Sequence, residues 1–278
     1  MTASTEHPLG RQHIAGCFAL SQAAHWNQNE ADWRLLLELG HGWGVSLAEG
    51  TLIASTLVLP YGDFAWISMV LVHPAHRRQG YASRLLRTAL ADLRARALTP
   101  VLDATPAGRE VYRQEGFRDA WTFKRFLKAG TDHVFAPLPR GVAPHLPSAA
   151  GGFDFALDRE AFGADRMHLL RALQQRLPQA ARAQPNGLVL GREGREARQI
   201  GPLVARNEET AMELLQSALA AVPAPVYVDV VDHAPKLQHW LQSQGFTFQR
   251  AFTRMVRGGD RAPGNEKLVY LVAGPELG

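Results

Sequence analysis

The sequence contains almost no cysteine. Cys17 is the only one among 278 residues. A disulfide framework and a cysteine-based zinc site are therefore both excluded, and a lone thiol is typical of a protein in a reducing compartment. The first residues lack the basic start and apolar run of a secretion signal, and no apolar run is long enough to span a membrane. We therefore expect a cytoplasmic protein without a membrane partner.

Lysine is also scarce and occurs only at Lys124, Lys128, Lys236 and Lys267. Arginine supplies most of the positive charge, but the arginines are scattered among acidic residues and the net charge is only +4. A nucleic-acid-binding surface requires clustered basic residues, with aromatic residues or a known module. The sequence therefore predicts no nucleic-acid partner. A hydrophobic fraction of 46% is typical of a globular protein with a buried core.

The most informative segment is a strand, a short basic loop and a helix. Ala65–Val72 has the composition of a buried strand, and the helix runs from about Tyr81 to Ala97. Between them lie Arg77, Arg78 and Gly80. Because the loop enters a helix, free backbone N–H groups and the positive end of the helix dipole meet there, which favours an anion. The loop therefore predicts a phosphate-bearing cofactor. The alternative is a surface loop whose arginines are only solvated.

The order of predicted elements indicates a mixed α/β sheet. Two helices precede a hairpin around Glu49-Gly50, and after the loop helices and strands alternate up to a strand over Phe117–Leu127. Strands follow one another before the central helix and alternate with helices after it, so we expect both parallel and antiparallel pairs.

The composition then changes to a stiff linker. The segment contains Pro137, Pro139, Gly141, Pro144 and Pro147. We expect two domains, at residues 1–140 and 141–278.

The second half repeats the pattern of the first. Gly116-Phe117 aligns with Gly245-Phe246 at an offset of 129 residues, and at the same offset Phe123 aligns with Phe252 and Arg125 with Arg254. The chain therefore reads as two copies of one mixed α/β unit.

Two motifs resemble one known family. Arg77-Arg-Gln-Gly80-Tyr-Ala82 is similar to the acetyl-CoA loop of the GNAT-type N-acetyltransferases, and Tyr112-Arg-Gln-Glu-Gly116-Phe117 is similar to the family's Tyr-x-x-x-Gly-Phe segment. Both occur in the family's order, and the resemblance covers about residues 10–130. The second half resembles a divergent GNAT-like domain, as in tandem bacterial members, so we expect two tandem GNAT-like domains.

The resemblance implies acetyl-CoA as cosubstrate and no metal. Gly80 lets the backbone approach the pyrophosphate, and the arginines add charge-assisted hydrogen bonds. In the family the strand before the loop bulges away from the next strand and pairs with the pantetheine arm. The implied cofactor-binding residues are Met69, Val70, Leu71, Val72, Arg77, Arg78, Gln79, Gly80, Tyr81, Ala82 and Ser83. For the four strand residues, a role in the core alone is the alternative.

Tyr112 is the implied catalytic residue. When an amine attacks the acetyl thioester, the departing thiolate needs a proton, which a nearby phenol can supply. A packing tyrosine on an amphipathic helix is the alternative.

The general base is left open. Many family members carry a glutamate on the strand before the loop, where this chain offers only Ser68. The base could be a water relayed by a backbone carbonyl, or one of the carboxylates Asp63, Glu30 and Asp32. The amine could also be deprotonated by solvent before it binds.

Trp26, Asn27 and Gln28 lie between the first two helices, which cover the acceptor site in this fold. They suit a small polar acceptor, whereas a helix-capping turn is the alternative.

The second half lacks the features that bind cofactor. Its loop, Arg206–Ala211, has no glycine and carries two carboxylates, and Leu241 stands at the position of Tyr112. We expect it to support the first half without binding acetyl-CoA.

The sequence therefore predicts a bacterial N-acetyltransferase that moves acetyl to a primary amine by direct attack, without a covalent acetyl-enzyme. The acceptor, a small molecule or a peptide, is not specified, and both a monomer and a homodimer are open. The alternative is a non-catalytic acyl-CoA-binding or regulatory module.

Overall fold

The computed structural model describes residues 4–130, 153, 155–259 and 261–278. The proline-rich linker and the predicted boundary at residue 140 lie outside these ranges. We call residues 4–130 the first half and residues 153–278 the second half. The elements of the first half are β1 (Ser4–Pro8), α1 (Ile14–Ala23), α2 (Glu30–Leu39), β2 (His41–Leu47), β3 (Leu52–Tyr61), β4 (Phe64–Val72), α3 (Tyr81–Ala95), β5 (Thr99–Ala104), α4 (Pro106–Gln114) and β6 (Phe117–Lys128).

The second half repeats this order from α1 onward, lacks a counterpart of β1 and adds one strand after the last repeated element. Its elements are α5 (Ala156–Phe162), α6 (Met167–Arg176), β7 (Arg182–Gln184), β8 (Gly187–Arg192), β9 (Arg198–Ala205), α7 (Glu208–Ala220), β10 (Val226–Val231), α8 (Pro235–Ser243), β11 (Thr247–Arg257) and β12 (Val269–Leu271).

Local sequence signals explain most of these boundaries. The side chain of Asn29 accepts a hydrogen bond from the Asp32 backbone, and the Asp32 carboxylate accepts one from the Asn29 backbone, so that α2 begins with a reciprocal cap. Thr105 caps α4, and Pro106 occupies its first position. The β2–β3 turn contains Gly50 with a φ of +90°. The hairpin predicted around Glu49-Gly50 is therefore confirmed.

All twelve strands of the described residues form one sheet. Its order is β1-β2-β3-β4-β5-β11-β6-β10-β12-β9-β8-β7. The β4–β5 and β9–β10 pairs are parallel, and the other pairs are antiparallel. The prediction of a mixed sheet is therefore confirmed. Among the described residues, no helix is both long and apolar enough to cross a membrane.

The two halves exchange one strand each, β6 and β11. β11 of the second half lies between β5 and β6, and β6 of the first half lies between β11 and β10. Phe123 pairs with Phe252 at the centre of this exchange, and their rings stack with centroids 5.0 Å apart. These are the residues that align at the repeat offset, so a local two-fold axis passes between them. The sequence did not predict the exchange, because alternation along a strand does not identify its neighbours.

The exchange places two ion pairs inside the protein. Arg125 on β6 binds both carboxylate oxygens of Asp229 on β10, each at 2.7 Å. Arg254 on β11 binds both oxygens of Asp103 on β5, at 2.9 and 3.0 Å. Both aspartate side chains are fully buried. Each pair joins one half to the other, and bidentate geometry is what makes a buried pair tolerable.

Both faces of the sheet are covered by helices. In β3, Leu57 and Leu59 belong to the core shared with α1 and α2, whereas Val58 belongs to the core under α3. This alternation follows from the two-residue period of a strand. The sheet therefore has both faces buried around the point where β4 and β5 diverge.

Replacing Asp229 with alanine should strongly destabilise the protein. The substitution leaves the buried Arg125 guanidinium without its counter-ion, which costs about 3–5 kcal/mol. Chemical denaturation followed by circular dichroism measures the free energy of unfolding.

The matched control is Glu30→Ala. It removes the carboxylate of the Arg34–Glu30 pair, whose side chains are 63% and 49% exposed. Exposed pairs contribute less than about 1 kcal/mol. Equal losses for the two variants would contradict the assignment of the buried pair as a link between the halves.

Candidate active site

The candidate site lies where β4 and β5 diverge. The two strands pair at only three positions, ending with Trp66 and Val101. A register shift against β3 places one extra residue in β4 near Met69, whose φ is +51°. Such a bulge bends a strand and redirects its edge. Beyond Trp66, the backbone of β4 that faces β5 has no strand partner among the described residues.

Helix α3 begins beside this wedge without a side-chain cap. Its N-cap is Gly80, and the first helical hydrogen bond runs from the Arg84 N–H to the Gly80 carbonyl at 3.0 Å. The N–H groups of residues 81–83 precede that bond and are free to bind an anion. The first turn contains no acidic residue, and the loop before it exposes Arg77 and Arg78. The local potential is therefore positive.

Gly80 leaves open space at the start of this helix. Its φ is +82°, and a Cβ added there would meet no atom within 4 Å. The glycine therefore has the conformation that side chains disfavour, and it leaves a cradle that a side chain would partly fill. A phosphate group fits such a cradle.

A groove connects this helix end to the bulge of β4. It is lined by residues 70–72, 77–78 and 80–83, all of which the sequence predicted to contact the cofactor. We call it the cofactor groove. Gln79 is exposed in the same loop but does not line it, and Met69 faces the neighbouring cavity instead.

An inner cavity adjoins the groove, and the two share Trp26 and Val70. Its walls come from both halves of the chain, because the strand exchange brings β11 beside β5. The residues of the wall that bear on the chemistry are Gln28, Ser68, Asp103, Tyr112, Glu196, Arg250 and Glu276.

Tyr112 projects from α4 into the inner cavity. Its ring meets Phe117 edge-on at 6.0 Å, and Gly108 one turn earlier makes room for it, since a Cβ there would lie 3.0 Å from the ring. Burial raises the pKa of the Tyr112 phenol to about 12. Within the described part of the chain, no group forms a hydrogen bond to its hydroxyl. The phenol is thus protonated and free to donate into the cavity.

Two further polar atoms of the cavity wall are buried without partners in the described residues. They are Oγ of Ser68, which is 6% exposed, and Oε1 of Gln28, which is 4% exposed. Buried polar groups in folded proteins normally form hydrogen bonds. Both atoms therefore remain available to a polar ligand.

Asn27 lies in the cavity wall, but its amide holds the two halves together. Oδ1 accepts the N–H groups of Glu196 and Ala197 at 2.8 and 3.0 Å, and Nδ2 donates to the Ala197 carbonyl at 2.9 Å. We therefore assign Asn27 a positioning role, in place of the direct acceptor contact expected from the sequence. Trp26 and Gln28 keep side chains that face the cavity.

None of the carboxylates considered from the sequence as a base lies in the cavity wall. Asp63 is exposed in the β3–β4 turn, Glu30 pairs with Arg34 at the surface, and Asp32 binds Arg176 and Arg192. These three alternatives for the base are therefore not placed beside the wedge, because each lies away from it or is bound in a buried ion pair.

Three other carboxylates line the cavity instead: Asp103, Glu196 and Glu276. Burial raises the pKa of Asp103 even though Arg254 opposes the shift. Asp103 could have been identified from the sequence, since a polar residue at the carboxyl end of a parallel strand is typical of a ligand site. Glu196 and Glu276 could not, because they reach the cavity from a loop and from the C-terminal segment of the second half.

The equivalent helix of the second half is closed to anions. Asn207 caps α7 through its side chain, which accepts the Thr210 N–H at 2.8 Å, and Glu208 and Glu209 occupy the first turn. Their charges would repel a phosphate.

The equivalent wedge is also filled by the chain itself. β9 and β10 pair in parallel from Val226 to Val228, and beyond that point β12 lies between them. A Cβ at Gly201 would lie 2.1 Å from the Val272 carbonyl, which shows how closely this segment approaches β9. The second half therefore has no open strand edge at the position where β4 has one.

Among the described residues, no group of three or more histidine, cysteine, aspartate or glutamate side chains is placed to hold a metal ion. The single thiol, Cys17, is buried, and burial raises its pKa to about 12. A thiol with that pKa is not a nucleophile at neutral pH.

Comparison with known proteins gives matches over both halves. The model of the acetyltransferase (GNAT) family matches residues 11–117, and that of an acetyltransferase (GNAT) domain matches residues 155–271. An uncharacterised N-acetyltransferase of Bacillus subtilis, YitH, is 25% identical over 248 residues, which cover 86% of each chain.

Two solved structures share the fold over nearly the whole chain. A putative acetyltransferase from Pyrococcus horikoshii has a TM-score of 0.79 at 20% identity and covers 100% of this chain and 97% of its own. A GCN5-related N-acetyltransferase from Sphaerobacter thermophilus has a TM-score of 0.64 at 16% identity, with coverages of 94% and 97%. With family matches in the positions of both halves, the chain belongs to the GNAT N-acetyltransferase family, as a member with two GNAT domains in tandem.

Proposed function

We propose that the protein transfers an acetyl group from acetyl-CoA to a primary amine, in the first half of the chain. The observation that carries this proposal is the junction of the two cavities. The cofactor groove ends at Trp26 and Val70, where the inner cavity begins, and Tyr112 faces that inner cavity. A thioester reaching along the groove and an amine in the cavity would meet beside a protonated phenol.

The cofactor groove has the features that acetyl-CoA requires. The N–H groups of residues 81–83 and the side chains of Arg77 and Arg78 suit the pyrophosphate, and Gly80 leaves room for it. The unpaired edge of β4 beyond Trp66 offers backbone donors and acceptors to the pantetheine amides. When bound, acetyl-CoA supplies the activated acetyl thioester.

Tyr112 is the proposed general acid. Its hydroxyl holds a proton at neutral pH and has no hydrogen-bond partner in the described residues, so the proton can go to the leaving sulfur. Ser68 and Gln28 present buried acceptor atoms to the incoming amine.

The second half is proposed to support this site without chemistry of its own. Its helix α7 is self-capped and its wedge is filled by β12. It contributes Glu196, Arg250 and Glu276 to the wall of the inner cavity.

Replacing Tyr112 with phenylalanine should lower kcat by about 10²–10⁴-fold, since a positioned general acid contributes that much. The free energy of unfolding and the affinity for acetyl-CoA should stay the same, because the hydroxyl forms no hydrogen bond within the described residues. Release of free thiol from acetyl-CoA with a panel of amines measures turnover, and calorimetry measures binding.

The matched control is Tyr270→Phe, which removes a hydroxyl that lines neither cavity. Unchanged turnover in Tyr112→Phe would overturn the assignment of the acid. Binding of acetyl-CoA by the wild-type protein without acetyl transfer to any amine would favour the non-catalytic binding module.

The pH profile of turnover should lack a descending limb near pH 10. A general acid must be protonated, and the pKa of Tyr112 is raised to about 12, so the acid form persists well above the ordinary tyrosine pKa of about 10. We expect kcat to rise as the amine loses its proton and then to stay level up to about pH 10.5. Initial rates corrected for uncatalysed hydrolysis test this, and a fall centred near pH 10 would contradict it.

Replacing Gly80 with alanine should weaken acetyl-CoA binding by about tenfold or more, since the methyl group occupies the space left for phosphate and disfavours the φ of +82°. The control is Gly50→Ala, because Gly50 also has a positive φ, +90°, and no atom within 4 Å of an added Cβ.

Both glycine variants should lose about 1 kcal/mol of stability. Only Gly80→Ala should lose affinity, as measured by calorimetric titration with acetyl-CoA. Equal affinities in the two variants would show that the groove does not hold the pyrophosphate at Gly80.

A further inference from the structure

The charges in the wall of the inner cavity are nearly all paired within the chain. Asp103 binds Arg254, Arg125 binds Asp229, Glu196 binds Arg195 and Glu276 binds Arg192. Arg250 is the charged residue of the wall for which the described residues provide no such partner. Within the described part of the chain, its guanidinium has no hydrogen bond, ion pair or aromatic contact.

The position of Arg250 makes this lack of a partner unusual. It is half-buried on β11 and lies directly opposite Arg125 on β6. Like charges at directly opposed positions destabilise a sheet. Arg125 is balanced by Asp229, which also accepts a hydrogen bond from Gln199 at 3.1 Å. Asp229 is therefore fully engaged, and the positive charge of Arg250 is left to face the cavity.

The same wall also offers acceptors for a cationic or hydrogen-bonding group. Oε1 of Gln28 and Oγ of Ser68 are buried and have no partner within the described residues. A buried acceptor without a partner carries a desolvation penalty that a ligand N–H would relieve. Within the described residues, Arg250 therefore has no counter-ion and the two acceptor atoms have no donor.

Building on the proposed function, we propose that the acceptor is a small amine that also carries a carboxylate, as an amino acid does. The planar guanidinium of Arg250 matches a carboxylate through two parallel hydrogen bonds. A phosphate with a charge near −2 fits less well, because among the described residues the cavity wall offers one unpaired cation, which balances a single negative charge. Gln28 and Ser68 would accept hydrogen bonds from the amine.

The test compares amino acids with their decarboxylated amines in matched pairs. Acetylation by the wild-type protein should show kcat/KM at least about tenfold higher for the carboxylate member of the preferred pair. In Arg250→Ala this preference should disappear, through a higher KM for the amino acid with little change in kcat. The decarboxylated amine should lose much less kcat/KM than the amino acid does, and Arg250→Lys should restore part of the preference.

The control variant is Arg118→Ala, which removes an exposed arginine on β6 that does not line the cavity. This variant should leave kcat/KM unchanged for both members of each pair. Calorimetric titration of amino acids into the CoA-loaded protein gives a readout without turnover, and the same loss of affinity should follow Arg250→Ala.

Equal kcat/KM for both members of every pair, or a preference that survives in Arg250→Ala, would overturn the inference and leave the acetyltransferase proposal standing. A kcat/KM about tenfold higher for amino-alcohol phosphates than for amino acids would also overturn the inference, in favour of a phosphate-bearing acceptor. If no amine of either kind is acetylated, the proposed function fails, and this inference fails with it.

Discussion

The structure depends on the exchange of one strand between its two halves. Because β11 lies beside β5 and β6 lies beside β10, each half completes the sheet of the other. The exchange joins Arg125 to Asp229 and Arg254 to Asp103, and in each pair a buried carboxylate of one half neutralises a buried guanidinium of the other. Neither half can be removed without leaving such a charge uncompensated, which is far more costly than losing a surface pair. The walls of the inner cavity are fixed by the same exchange.

The two halves share one arrangement of strands and helices, but the wedge between the two parallel strands is open in the first half and filled in the second. In the first, β4 and β5 part beyond Trp66 and leave a strand edge free. In the second, β12 enters the corresponding wedge and pairs with both strands. The chain then continues to Pro275 and Glu276, which line the inner cavity, and the indole N–H of Trp66 donates to the Pro275 carbonyl at 2.9 Å. The segment that closes the second half thus builds part of the site of the first.

The sequence could predict what is local and not what is long-range. The Glu49-Gly50 turn and apolar periodicity located the helices and strands, and the order of elements predicted the mixed sheet. The loop at Gly80 and the residue Tyr112, which come from two separate motifs, line neighbouring cavities. Hydrophobic pattern carries no information about which strands are neighbours, so the exchange was missed. Glu196, Glu276 and Arg250, which belong to the second half, were missed as well.

The repeat also shows where the β6–β11 pair differs on the two sides of its local two-fold axis. The local two-fold axis at Phe123 and Phe252 relates the cross-strand pair Arg254–Trp121 to the pair Arg125–Arg250. On one side, Trp121 covers the Arg254 guanidinium, with its ring centre 4.1 Å from the guanidinium carbon, and Trp66 packs on Arg254 at 4.4 Å. On the other side, an arginine occupies the place of the covering tryptophan. An aromatic cover stabilises a paired guanidinium without adding charge, whereas a second guanidinium adds a charge that the fold does not balance. Among the described residues the half-buried Arg250 forms no ion pair or hydrogen bond, so its charge adds nothing to the pairing of the strands, and the carboxylate of the proposed acceptor would balance it.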